Sequence, residues 1–145
     1  MLNGIPKVLT GDLLKILCDM GHGDELVIAD ANFPAEELAR RLVRIPGNDS
    51  VAVLSAISKL FPIDTYCEYP AAVMALTESD VEKGMARPSI WGDYQSFVHA
   101  PMEEIERFAF YERARKAYAI IQTGEERQYG NLILVKGVVL GGSMF

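Results

Sequence analysis

His22 lies between two glycines in Met20-Gly21-His22-Gly23-Asp24, where a helical pattern ends and an apolar run begins. The glycines let the backbone turn sharply and leave the imidazole uncrowded. An imidazole can give or take a proton near neutrality with little tuning. An exposed turn histidine without a chemical role fits the same residues. Asp30 ends the run Leu26 to Ala29, at the carboxyl end of an expected strand, where open α/β sheets take their ligands. There it could accept hydrogen bonds from hydroxyls, orient a histidine, or cap the turn that begins Ala31-Asn32-Phe33-Pro34. Arg107 precedes Phe108, Phe110 and Tyr111. Aromatic faces suit the C–H side of a sugar ring, and a guanidinium fork donates to its hydroxyls. Phe108 and Phe110 read more simply as core, which leaves Arg107 and Tyr111 open. Tyr129-Gly130-Asn131 offers a phenol and a carboxamide around a glycine, either a polar binding loop or a plain turn.

Other chemistries find little footing. Gly21-x-Gly23 begins a dinucleotide fingerprint, but Leu26 holds the third glycine position and the turn precedes the strand. There is no nucleophile elbow, P-loop or His-Glu-x-x-His. The two histidines, His22 and His99, and the two cysteines, Cys18 and Cys67, have neither zinc nor disulfide spacing. We therefore expect no metal and no cofactor. Cys18 reads as a small core residue, His99 as a loop residue and Trp91 as packing.

The elements that must position these groups follow from periodicity and punctuation. Leu13, Leu14, Leu17 and Met20 recur at helical spacing behind Thr10, a suitable N-cap, with Gly21 as a stop. Leu26 to Asp30 predicts a buried strand. Pro34 predicts a helix start running to about Leu42, with Glu36 and Glu37 in its first turn. Asp49 or Ser50 caps a helix through Leu60, which Pro62 ends. Ala71 to Leu76 is a second strand. Thr77 to Glu104 is the least regular stretch, with a helix expected after Pro88. Phe110 to Ala117 predicts a helix, Tyr118 to Gln122 a strand, and Leu132 to Val139 a last strand with a bend at Gly137. Alternating strands and helices predict one α/β domain over residues 1–145, a central sheet covered by helices.

A formal charge of −6 argues against a nucleic-acid partner. The clusters Arg40, Arg41, Arg44 and Arg113, Arg115, Lys116 lie among acidic neighbours and read as solvated helix faces. No apolar run is long enough to span a bilayer, and no signal pattern opens the chain. A cytoplasmic setting without a membrane partner is expected.

Four segments in order, MGHGDE at Met20, D-A-x-F-P-A at Asp30, RFAFYERA at Arg107 and TGE…YGN ending at Asn131, resemble the L-fucose mutarotase and D-ribose pyranase family. The run RFAFYERA resembles the fucose branch, and the likeness extends from about Leu13 to Gly137. The resemblance implies an isomerase that interconverts the anomers of a reducing sugar, α- and β-L-fucose foremost. Ribose pyranose–furanose interconversion and non-catalytic sugar binding or transport assistance are the alternatives. It implies His22 as the catalytic proton-transfer residue and Asp30, Arg107, Tyr129, Gly130 and Asn131 as substrate-binding positions. Tyr111 is a further candidate, and the complementary acid or base stays open between Tyr129 and Tyr111. It also implies a homo-oligomer, commonly a decamer of stacked pentameric rings, with sites near subunit boundaries. Asn32 stands where some members of the fucose branch carry His, a departure that bears on sugar selectivity.

Overall fold

Leu26 and Ile28 pack on one side of the first strand, Val27 and Ala29 on the other, and this alternation organises the chain. Residues 1–141 are described by the computed structural model; residues 142–145, which the expected domain includes, lie outside the described residues. The strands are β1 (Glu25–Ala29), β2 (Leu42–Ile45), β3 (Ala71–Met74), β4 (Met102–Ile105), β5 (Ala119–Thr123) and β6 (Leu132–Val135). They form one six-stranded sheet in the order β2-β5-β1-β6-β3-β4. Pairings are parallel except on both sides of β6, which runs opposite to β1 and β3. The amino end of β6 therefore lies at the same edge of the sheet as the carboxyl ends of the other five strands.

The helices are α1 (Gly11–Asp19), α2 (Ala35–Leu38), α3 (Ser50–Ser58), α4 (Glu78–Glu82), α5 (Ser89–Val98) and α6 (Arg107–Lys116). Residues of α1, α3 and α5, among them Leu13, Leu54, Trp91 and Tyr94, pack against Leu26, Ile28, Val73, Ile121, Leu132 and Leu134. Residues of α2 and α6, among them Leu38, Phe110 and Ala114, pack against Val27, Ala72, Ile120 and Ile133. Both faces of the sheet are thus covered, and its central strands read as continuous apolar runs for that reason. The expected α/β domain with a helix-covered sheet is the architecture found.

Several boundaries are set by local chemistry. Thr10 caps α1 by accepting from the Leu13 amide (3.3 Å), and Asp49 caps α3 by accepting from Ala52 (2.8 Å). The helix expected from Pro34 to Leu42 stops at Leu38, because Ala39 turns extended and Leu42–Ile45 becomes an edge strand beside β5. An edge strand buries little, so β2 lacks the apolar run that marks the central strands. The same holds for β4, and both escaped the sequence reading. The arginine cluster of Arg40, Arg41 and Arg44 is accordingly not a helix face. Arg41 lies over the Tyr118 ring at 3.9 Å, and Arg44 sits on β2.

Two further readings are corrected. Cys18 is exposed, since the buried stripe of α1 is Leu13 and Leu17. Helix α6 begins at Arg107, three residues before the expected start, so Phe108 and Phe110 stand two residues apart on one helix. That spacing puts them on opposite sides. Phe110 is fully buried, whereas Phe108 is 65% exposed.

Candidate functional site

A cleft of about 440 Å³ opens at the carboxyl edge of the sheet. Its walls come from chain segments that leave the strands there: Asp30, Asn32 and Phe33 after β1, Thr77, Ser79 and Asp80 after β3, Arg107 and Tyr111 after β4. Gln128, Tyr129 and Asn131 precede the antiparallel β6. Because β6 runs opposite to its neighbours β1 and β3, its entry loop meets their exit loops, which brings residues a hundred positions apart within reach of one ligand.

Asp30 and Asn131 form the floor. The Asp30 amide donates to Asn131 Oδ1 (2.8 Å), and Asn131 Nδ2 donates back to Asp30 Oδ2 (3.3 Å). The Asn32 amide donates to the other carboxylate oxygen (3.0 Å). Asp30 is 7% exposed. Burial pushes its carboxyl above the ordinary value, against the pull of the Asn32 and Phe33 amides and the Asn131 carboxamide, while the charge of Glu125 adds to the rise.

Tyr129 adopts a left-handed backbone (φ 60°), which is strained for a residue with a side chain. Helix α5 holds it there. Trp91 Nε1 donates to the Tyr129 carbonyl (3.0 Å), and the buried Tyr94 hydroxyl donates to the Gly130 carbonyl (2.7 Å). Tyr94 lies 2.6 Å from Ser50 Oγ, which donates to Glu125 (2.9 Å). Burial works against the Glu125 charge, but Arg127 outweighs it from side chain and amide, and the carboxyl is held at about 2. The loop is therefore tied from beneath by a fully partnered polar network. The Tyr129 phenol donates to Asp80 and accepts from the Thr77 amide (3.1 Å). Thr77 also caps α4 by accepting from the Asp80 amide (3.3 Å).

Arg107 stands exposed at the rim, its Nε donating to the Tyr111 hydroxyl (3.2 Å), its guanidinium over the Phe108 and Tyr111 rings at 5.4 and 5.5 Å. Phe33 meets Tyr111 edge to face at 5.6 Å. The site thus offers a buried carboxylate, a carboxamide, a phenol and a guanidinium around aromatic walls, a set suited to a small polyhydroxylated ring.

Asp30, Arg107, Tyr111, Tyr129 and Asn131 are brought together. Gly130 lies behind them, where an added Cβ would come 3.1 Å from the Arg127 carbonyl oxygen. His22 is not in this cleft. It precedes β1 and Asp30 follows it, so the five-residue strand separates them by about 16 Å. At that opposite edge His22 Nε2 lies 2.8 Å from Asp64 Oδ1, its ring packs on Tyr66 at 5.3 Å, and its side chain is 46% exposed. Within one chain, His22 therefore stands apart from Asp30 and the tyrosine–asparagine loop.

Sequence reasoning missed Thr77, Ser79, Asp80, Gln128 and Asp64. Thr77-Glu-Ser-Asp80 does carry a helix-start pattern; no comparable signal marks Asp64 or Gln128. Among the described residues no cluster of His, Cys, Asp and Glu could hold a metal, and no helix is long and apolar enough to cross a membrane.

Comparison with known proteins adds independent findings. The model of the RbsD / FucU transport protein family matches residues 3–139. The chain is 49% identical to fucose mutarotase of Mus musculus over 95% of both proteins. It is 46% identical to L-fucose mutarotase of Histophilus somni, covering 95% of this chain and 97% of that one. The crystal structure of the fucose mutarotase of Streptococcus pneumoniae in complex with L-fucose superposes with a TM-score of 0.88 at 41% identity, covering 96% of this chain and all of the other.

Proposed function

The chain belongs to the RbsD/FucU family, and from that premise we propose that it is a monosaccharide mutarotase interconverting α- and β-L-fucose. The observation that carries this reading is the convergence of Asp30, Arg107, Tyr129 and Asn131 in one cleft lined by Phe33 and Tyr111. Asp30 and Asn131 accept and donate to ring hydroxyls from the floor, Arg107 donates from the rim, and the aromatic walls take the C–H face.

The reaction opens the hemiacetal and closes it on the other carbonyl face. Opening moves one proton off the anomeric oxygen and one onto the ring oxygen; closure returns both. Nothing is oxidised, transferred or consumed, so positioned acids and bases suffice. His22 carries one of these protons in this reading. Because it lies a strand's length from its own cleft, it acts in the cleft of a neighbouring copy. Its half-exposed ring and the exposed Arg107 and Phe108 at the rim suit such a contact. Two complementary patches at opposite edges of a subunit make a head-to-tail contact, which closes into rings. A ring-shaped homo-oligomer, a decamer of two pentamers in the family pattern, in the cytoplasm, belongs to the same proposal.

The test is NMR saturation transfer between anomer signals of L-fucose, and between pyranose and furanose signals of D-ribose, with and without catalytic amounts of protein. Acceleration of L-fucose exchange is expected. Acceleration of ribose alone would make the protein a pyranase. Saturable binding of L-fucose with exchange at the uncatalysed rate would make it a sugar-binding protein.

A further inference from the structure

Helix α4 buries none of its residues, so packing does not fix it against the sheet. The Tyr129 hydroxyl reaches it from the cleft, donating to Asp80 and accepting from the Thr77 amide (3.1 Å). The tyrosine itself is held from the other side, where Trp91 donates to its carbonyl (3.0 Å) and keeps the left-handed turn in place. Its hydroxyl hydrogen can still rotate, and two acceptors stand around it. Thr77 Oγ1 is 3.5 Å away and already accepts from the Asp80 amide (3.3 Å). The Asp80 carboxylate is closer and charged. A charged acceptor makes the stronger bond, so the hydrogen goes to Asp80.

This decides what the phenol offers a ligand. A phenol has one hydrogen to donate and otherwise only accepts. With that hydrogen on Asp80, Tyr129 meets the cleft as an acceptor. Together with the Asp30 carboxylate it makes the inner wall rich in acceptors, while Arg107 donates from the rim.

We infer that Asp80 is a substrate-positioning residue: it turns the Tyr129 hydrogen away from the sugar, so that the phenol selects a sugar hydroxyl able to donate. The inference rests on the cleft being the L-fucose site. It narrows the ligand at one position to a free hydroxyl. A fluorine there, similar in size but without a hydrogen to give, leaves the phenol oxygen unpaired and is disfavoured. Asp80 acts through Tyr129, so its contribution disappears when the phenol oxygen is absent.

The test combines Asp80→Ala and Tyr129→Phe, singly and together, in titrations with L-fucose and with its monodeoxy and monodeoxyfluoro analogues. Asp80→Ala keeps the amide that Thr77 caps and empties no buried site, so the fold should hold. It should weaken L-fucose binding by about 3- to 10-fold with the phenol present, and leave affinity unchanged in Tyr129→Phe. In anomer exchange the loss should appear in KM more than in kcat. One fluoro analogue should bind the wild type no better than the matching deoxy sugar, since neither donates. The same analogue should gain over the deoxy sugar in Asp80→Ala, where the freed phenol hydrogen turns to the fluorine. Equal losses with and without the phenol overturn the inference, because Asp80 would then touch the sugar itself or act on the fold. A wild-type protein that binds every fluoro analogue as tightly as L-fucose also overturns it, and that result needs no variant. Failure of L-fucose to bind at all would overturn the reading of the cleft as well, and so is told apart.

Discussion

Replacing His22 by Ala should lower anomer exchange by about 10²- to 10⁴-fold, the usual contribution of a positioned acid or base. Binding of L-fucose should largely survive, because Asp30, Arg107, Tyr129 and Asn131 still line the cleft. The fold should survive as well. The imidazole is half-exposed, and Asp64 keeps its bond from the Cys67 amide when the ring is gone. Saturation transfer gives the rate and ligand titration gives the affinity, so the loss is read as chemistry and not as binding. Exchange at the wild-type rate in the variant would take His22 out of the mechanism.

Asp30→Asn should act on the other side of that division. A hydrogen bond to a charged partner contributes about 1.5–3 kcal/mol, so losing the carboxylate should weaken L-fucose binding by about 10- to 10²-fold. The wild-type carboxyl also predicts a pH signature. Burial raises its value above 3.8 in the folded state, so the sugar loses its ionised partner as pH falls through that raised value. The acid limb of affinity should therefore lie above the ordinary carboxylate value, and Asp30→Asn should abolish it. Stability runs the other way. A folded value above the unfolded one means that the folded state holds its proton longer, so this group's stabilisation is complete below 3.8 and is lost as pH rises through the folded value. Affinity and stability should thus diverge as pH falls, measurable by titration and by thermal unfolding at matched pH. An acid limb that persists unchanged in Asp30→Asn would assign it to another group.

What the sequence carried, and what it did not, follows from how each element announces itself. The central strands β1, β3, β5 and β6 are buried on both faces and read as apolar runs; edge strands β2 and β4, with Arg44 and Glu103–Glu104, do not. Thr10 and Asp49 signalled the helix starts they cap. Thr77 carried the same signal, but the polar Glu78, Ser79 and Asp80 behind it had no core-facing stripe, since α4 buries none of its residues. Asp30, Tyr129 and Asn131 stood out because they occupy loops next to strand ends, and Arg107 because it opens a helix. That they meet depends on the reversed direction of β6, which single-sequence patterns do not state. That His22 stands apart from the cleft of its own chain was visible in the chain itself. A residue before a strand and a residue after it lie at opposite edges of the sheet, and in the proposed reading a second subunit brings them together.

Mixing two impaired variants at subsaturating L-fucose, one without the imidazole and one with weakened binding, tests that conclusion most directly. His22→Ala leaves the cleft intact, and Asp30→Asn leaves the imidazole intact. Co-assembled in equal amounts, they should yield about one site in four with both groups native if neighbouring copies share each site, and exchange should return to a comparable fraction of the wild-type rate. If mixed assemblies, verified by mass, exchange no faster than either variant alone, each chain works by itself and the shared site is wrong.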